Sequence, residues 1–371
     1  MTTRPAEQHR KHEEIARADL GEFGRLELAI YGAPCYVIRQ SVEAWADILS
    51  EKFKLAFADE SHNKREEVSS ISISYTKGIQ NEYLNQQQPF NSFDRHAVFN
   101  NADLVLVNGN HFNARKQVVI IHPDKSLYGK TDKLTDAILI LLSPGQVVPD
   151  FISKLVDGRD VPVLSLDDEA GIGEFLVRYI EAHVAPVYGL VLAGGKSTRM
   201  HTDKGAIAYH GKSQRAHSYD LLSEIVDEVF ISGAAEDGYP IIADTFLGLG
   251  PLGGIVSAMQ QNPDAAWLTI ACDLPYLTED TLRYLTQNRD PSKTATAFLD
   301  SEGKFPEPLI TIWEPRAYPR MLQFLSQGYS CPRKVLINSD VKLLAAPDVS
   351  EFRNINHPSE RDEALRFFGS L

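Results

Sequence analysis

Short apolar runs recur along the chain, and between them the apolar positions spread out to a helical spacing. Residues 26–31, 55–58, 104–107, 118–121 and 161–164 form such runs in the first half. Residues 188–193, 228–232 and 267–271 form them in the second. Continuous runs of this length predict strands buried on both faces, the habit of parallel sheets. The amphipathic stretches between them, such as residues 41–54, 173–183 and 279–287, predict crossover helices. The pattern therefore predicts an α/β protein in which each half is a mostly parallel sheet with flanking helices.

A boundary is expected where the helix of residues 173–183 runs into Pro186 and a new strand opens at Tyr188. This divides the chain into residues 1–185 and 186–371. A length of 371 residues fits about two to three domains.

Composition narrows the function classes. The formal net charge is −13, which argues against a nucleic-acid scaffold with its basic surface. An anionic substrate would have to be met by a local cationic pocket, because the global field repels it. Three widely spaced cysteines, Cys35, Cys272 and Cys331, lack the paired spacing of a zinc site and predict reduced thiols. The polar N-terminus does not read as a secretory signal, and the apolar run at 137–142 is far short of a membrane span. The expectation is a cytoplasmic protein without a membrane partner.

The strand at 188–193 ends in Gly194-Gly195 and is followed within ten positions by Lys196, Arg199 and Lys204. Open α/β sheets bind ligands at the carboxyl ends of their strands. Glycines there let backbone amides approach a phosphate, and the following cations can clamp its oxygens, Arg199 through a fork and Lys204 as a point charge. Asp273 ends the strand at 267–271 and, at the same sheet edge, could hold Mg²⁺ against a triphosphate. Its plainer alternative is a helix cap. Asp244 could accept from a base or ribose, or could be a turn residue. Asn354 and Asn356 could position a second substrate or the metal's water shell, or form an Asx turn before Pro358. Ser232, at a strand end, is a weaker candidate for contact with the base.

Read together, Leu192-Ala193-Gly194-Gly195-Lys196-Ser197-Thr198-Arg199-Met200-His201-Thr202-Asp203-Lys204 resembles the signature of the molybdenum cofactor guanylyltransferases, the MobA family. His201 stands where that family carries glycine. The resemblance continues through Asp244, Gly250-Pro251-Leu252-Gly253-Gly254, Cys272-Asp273-Leu274-Pro275, Glu307-Pro308-Leu309 and Asn354-Ile355-Asn356. It implies GTP contacts from Leu192, Ala193, Gly194, Gly195, Lys204, Ser232, Asp244 and Asp273. It implies Arg199, Lys204 and Asp273 as catalytic residues, with Mg²⁺ on Asp273. Gly253, Asn354 and Asn356 would meet the second substrate. The implied reaction moves GMP from GTP onto the phosphate of molybdopterin and releases pyrophosphate. A cytidylyltransferase of molybdopterin, a sugar-phosphate nucleotidyltransferase and a non-catalytic cofactor-delivery module are the alternatives. Molybdoenzyme maturation proteins and a further copy of the chain are the candidate protein partners.

In the first half, residues 26–32 resemble a strand leading to a phosphate loop, yet Ala33-Pro34-Cys35 follows in place of Gly-Lys-Ser/Thr. Residues 26–182 are similar to the MobB family, small P-loop proteins, with Asn108 where that family carries an acid. The implied role is an adaptor or dimerisation domain that has lost its nucleotide site. Asp59 and His62 form a second candidate pair there. Residues 124–131 end like a phosphate loop but begin with Asp124, which would repel phosphate.

Overall fold

A computed structural model describes residues 15–60, 72–194, 203–234 and 236–369. The chain divides into two units, residues 19–184 and residues 185–371, the latter grouping with the described residues 15–18, and each has its own sheet.

The first unit is built from β1 (Glu27–Tyr31), α1 (Cys35–Leu49), β2 (Leu55–Ala58), β3 (Ile73–Lys77), β4 (Glu82–Gln86), α2 (Ser92–Phe99), β5 (Leu104–Asn108), β6 (Lys116–Ile121), β7 (Ala137–Leu142), α3 (Asp150–Leu155), β8 (Val163–Ser165) and α4 (Glu169–Glu181). Its six-stranded sheet has the order β2-β5-β1-β6-β7-β8. Every pairing in it is parallel. The central strands β1 and β5 are buried along their whole length, which explains their unbroken apolar runs. Helix α1 starts six residues earlier than the amphipathic stretch predicted, because Val37 and Ile38 already lie on the face that carries Val42, Trp45 and Leu49 into the core. The antiparallel hairpin β3–β4 went unpredicted for a simple reason: its side chains are almost all exposed, so no burial pattern marks it.

The second unit contains β9 (Val187–Leu192), α5 (Gln214–Ser223), β10 (Val229–Ser232), β11 (Ile241–Ile242), α6 (Pro251–Gln261), β12 (Ala266–Ala271), α7 (Glu279–Gln287), β13 (Ala295–Leu299), β14 (Pro306–Trp313), α8 (Ala317–Ser326), α9 (Pro332–Ile337), β15 (Val341–Leu344) and α10 (Pro358–Gly369). Its seven strands follow the order β11-β10-β9-β12-β14-β13-β15. Strand β14 runs antiparallel to both neighbours, and the remaining pairs are parallel. Apolar clusters cover both faces. Leu190, Trp267 and Trp313 face Ile255 and Met259 of α6 on one side. Val191, Ile231, Leu268 and Ile310 pack with Leu222 and Leu282 on the other.

Register decides where the chemistry falls. Leu192 pairs with Ser232 of β10 and with Ala271 of β12, all three parallel. The residues that leave these strands, Gly194, Gly233 and Asp273, therefore emerge at one carboxyl edge. The candidate residues of β10 and β12 flank β9 across two strand spacings, about 10 Å.

Candidate active site

Lys204 opens a short turn whose first amide is held by the Asp203 carboxylate, which accepts from Gly205 N at 3.1 Å. Its ammonium donates to Asn356 Oδ1 at 2.7 Å and to Asp273 Oδ2 at 3.3 Å. The Lys204 and Asp273 side chains are each about one-fifth exposed, so their charges are partly shielded from water. The segment carrying Asn356 is stitched to the edge by Ile355 N, which donates to the Asp273 carbonyl at 3.1 Å. Glu360 then accepts from Asn356 N and His357 N at 2.7 and 2.9 Å, and these bonds hold its carboxyl below the usual range. Asp273 does not cap the helix that follows; Thr278 does.

On the other side of β9, Ser232 Oγ donates to Asp244 Oδ1 at 2.6 Å. Ala193 N extends the ladder by donating to the Ser232 carbonyl. Gly194 and Gly233 meet so closely that a Cβ on Gly233 would stand 2.5 Å from the Gly194 Cα, and Gly233 has φ of +84°. Both facts demand glycine. A Cβ on Gly194 would lie 3.7 Å from Asp244 Oδ2, which brings Leu192, Ala193, Gly194, Ser232 and Asp244 into one small neighbourhood. Gly253 is buried within α6, where a Cβ would come within 2.4 Å of the Phe246 carbonyl oxygen; its position serves close packing of that helix on the 246 loop. Asn354 is half-buried two residues before Asn356. Gly195, Arg199 and the residues between Gly194 and Asp203, His201 included, lie outside the described residues.

One group at this edge escaped the sequence reading, and a second was noted there only as part of a motif. Arg215, nearly fully buried on α5, donates to Asp203 Oδ2 at 2.7 Å and to Glu236 Oε2 at 2.8 Å. It therefore fixes the carboxylate that holds the Lys204 turn. Burial also pushes the Glu307 carboxyl up, against the pull of Arg333, with Asp273 adding to the rise. Arg333 sits 3.6 Å from Glu307 and 3.9 Å from Asp300. Glu307 belongs to a motif already noted, but nothing in the sequence marks Arg215, because Gln214, Arg215 and Ser218 are polar residues buried on one helix.

In the first unit the turn after β1 is tied back by side chains. The Ala33 carbonyl accepts from Asn110 Nδ2 at 3.1 Å and from Lys125 Nζ at 3.3 Å. A phosphate loop aims amides at this place; here a carbonyl is aimed there. Asp59 is paired with Arg39 at 2.5 Å and accepts from Asn108 Nδ2 at 2.7 Å. Burial opposes its ionisation, but these bonds prevail and hold its carboxyl below the ordinary value. His62 lies outside the described residues. Among the described residues no cluster of three acidic, histidine or cysteine side chains forms a ready metal site, and no helix is long and apolar enough to cross a membrane.

The parallel strands, the glycine contact at their carboxyl edge and the adjoining Lys204–Asp273 pair define a nucleotidyltransferase domain. Residues 189–342 match the MobA-like NTP transferase domain family. The chain is 34% identical over 182 residues to the molybdenum cofactor biosynthesis bifunctional protein of Synechocystis, covering 47% of this chain and 52% of that protein. It thus spans about half the length of that relative. It is 30% identical over 186 residues to the molybdenum cofactor guanylyltransferase of Shewanella putrefaciens, covering 47% of this chain and 93% of that protein. The chain belongs to the molybdenum cofactor guanylyltransferase family.

Proposed function

We propose that the chain transfers GMP from GTP to the phosphate of molybdopterin, with release of pyrophosphate. The observation that carries this reading is the Lys204 ammonium, held between Asp273 and Asn356 at the carboxyl edge of the sheet. In such a transfer the acceptor's terminal phosphate attacks the α-phosphorus of the triphosphate. The nucleophile is already anionic, so positioning and charge stabilisation do the catalysis without a general base. Lys204 meets the charge that grows on the phosphoryl oxygens, and Arg199 is assigned a similar role. Leu192, Ala193 and Gly194 present backbone to the nucleotide, Gly195 is assigned a nucleotide contact, and the Ser232–Asp244 pair is assigned to the base or ribose. Gly253, Asn354 and Asn356 shape the acceptor side.

Mg²⁺ fits the Asp273 carboxylate, since a hard cation is commonly held by one carboxylate together with substrate phosphates. When bound there it neutralises phosphate charge. Residues 1–185 are assigned as a separate adaptor or dimerisation domain, and residues 186–371 as the transferase, in a cytoplasmic enzyme.

The test is pyrophosphate release from GTP, CTP and ATP, each with Mg²⁺ and molybdopterin. Release with GTP alone, lost in Asp273→Asn, is the expected result. Release with CTP would keep the mechanism and overturn the base. No release with any nucleotide would overturn the transferase reading of this chain.

A further inference from the structure

We propose that Cys35 is a modification site: a thiol activated by His111 and Glu60 that forms a mixed disulfide with small disulfides. This proposal is independent of the transferase reading and concerns the other unit.

Cys35 is the first residue of α1, a helix of 15 residues with no acidic side chain in its first turn. His111 Nε2 lies 3.3 Å from Cys35 Sγ, and His111 Nδ1 lies 3.4 Å from Glu60 Oε2. Asp59 Oδ1 also lies 4.0 Å from Nε2; Glu60 at Nδ1 is the nearer carboxylate, and Nε2 faces the thiol in the arrangement of a nucleophile, a base and an orienting acid. The turn after β5 sets this geometry. His111 N donates to the Asn108 carbonyl, and Asn110 N donates to Asn108 Oδ1.

Asn110 adds a second interaction at the sulfur. Its Oδ1 receives Lys125 Nζ and its Nδ2 donates to the Ala33 carbonyl, so neighbours fix which way the amide points. The same Nδ2 then faces Cys35 Sγ at 3.3 Å. An amide nitrogen can only donate, so the sulfur is the acceptor in this contact. Cys35 is half-buried.

The sequence limits what the thiol can become. Cys35 is the only cysteine among the first 185 residues. Its unit holds no second thiol to resolve an oxidised sulfur, so the stable product is a mixed disulfide with an external thiol. The step balances: the Cys35 proton passes to His111 Nε2, and the sulfur attacks one sulfur of R–S–S–R. The S–S bond breaks, and the departing thiolate takes the proton from His111. Cys35–S–S–R and R–SH result, and the small disulfide is the oxidant.

The test uses the full chain at pH 7 with oxidised glutathione, and each cysteine is followed by peptide mass mapping. Cys331 is exposed and serves as the internal reference. Base catalysis is worth about 10²–10⁴-fold, so even with partial burial Cys35 should react at least about tenfold faster than Cys331. His111→Gln should remove that advantage and leave Cys331 unchanged, and Glu60→Gln should reduce it less. A wild-type Cys35 no faster than Cys331 overturns the proposal without any variant. So does a rate in His111→Gln within about twofold of wild type.

Discussion

Replacing Lys204 with methionine separates a catalytic cation from a structural one. The substitution keeps the length and apolar stem of the side chain and removes the ammonium. Among the described residues two contacts are lost, at 2.7 Å to Asn356 and 3.3 Å to Asp273. At an effective dielectric of about 20 the charge pair at 3.3 Å has a gross attraction of about 5 kcal/mol. Desolvation of two groups that are mostly out of water returns the larger part of it. The net loss of folding stability is therefore about 1–2 kcal/mol, a fall in Tm of about 2–8 °C for a unit of this size.

A preorganised charge aimed at a developing oxyanion is worth more, about 10²–10³ in kcat. Pyrophosphate release in the presence of GTP and molybdopterin, measured well below the melting transition, reads that effect on folded protein. Lys204→Met should fall by that factor and keep a cooperative melt. A kcat/KM within about threefold of wild type would refute the assignment of Lys204 to phosphate charge. Lost activity that simply follows a collapsed melting curve would show Lys204 to be a structural tie.

Other substitutions probe the supports of the same edge. In Gly254→Ala the new Cβ would stand 2.4 Å from Ser232 Oγ and 3.1 Å from Leu192 Cδ2. Overpacking of about 1–3 kcal/mol should lower Tm, and displacement of the Ser232–Asp244 bond should raise KM for the nucleotide more than it lowers kcat. Arg215→Leu leaves the Asp203 and Glu236 carboxylates without their shared guanidinium, so Tm and kcat should both fall. Arg215→Lys should restore part of the stability and little of the rate, because one ammonium cannot reproduce both bonds of the fork. His217, stacked 3.7 Å from His210, is pushed down to about 4 by burial and then by that neighbour. Its folded value lies below the ordinary 6.5, so the unfolded chain binds the proton more readily between those values, and stability should fall as pH drops from 6.5 to 4. Denaturant melts of His217→Gln across that window should show a flatter slope.

What the sequence made legible follows from where information is stored along a chain. Strands β1, β5, β9 and β12 are buried on both faces, so burial writes itself as an uninterrupted apolar run. Asp273, Asp244 and Lys204 follow such runs or the glycines after them, and local context marks them. Contacts between distant segments leave no such trace. Nothing near Lys204 announces that Asn356, 152 residues away, accepts its hydrogen bond. Arg215 is hidden for another reason: it satisfies two carboxylates rather than an apolar surface, and a polar residue on a buried face looks like a solvent-facing one. The antiparallel course of β14 was hidden too, since buried antiparallel and parallel strands share one apolar signature.

The two sheets apply one backbone rule to different ends. In each, the carboxyl edge collects the side chains that follow the central strands, because parallel strands release their chains on the same side. In the second unit β9 releases Gly194, and the close glycine contact leaves backbone accessible beside a lysine. In the first, β1 releases Gly32 and then Ala33, whose carbonyl is turned inward and tied by Asn110 and Lys125. An inward carbonyl repels phosphate as surely as inward amides attract it. The residue that opens the next helix is then free of the demands of phosphate binding. In this chain it is Cys35, within reach of a histidine that the neighbouring strand's turn delivers. Building phosphate binding into that unit would require more than a lysine and a threonine at the helix start. Asn110→Ala together with Lys125→Ala should release the Ala33 carbonyl, yet the edge should still bind no nucleotide by calorimetry, because the glycines that let the turn wrap are missing. Nucleotide binding by that double variant would show the loop to be only masked.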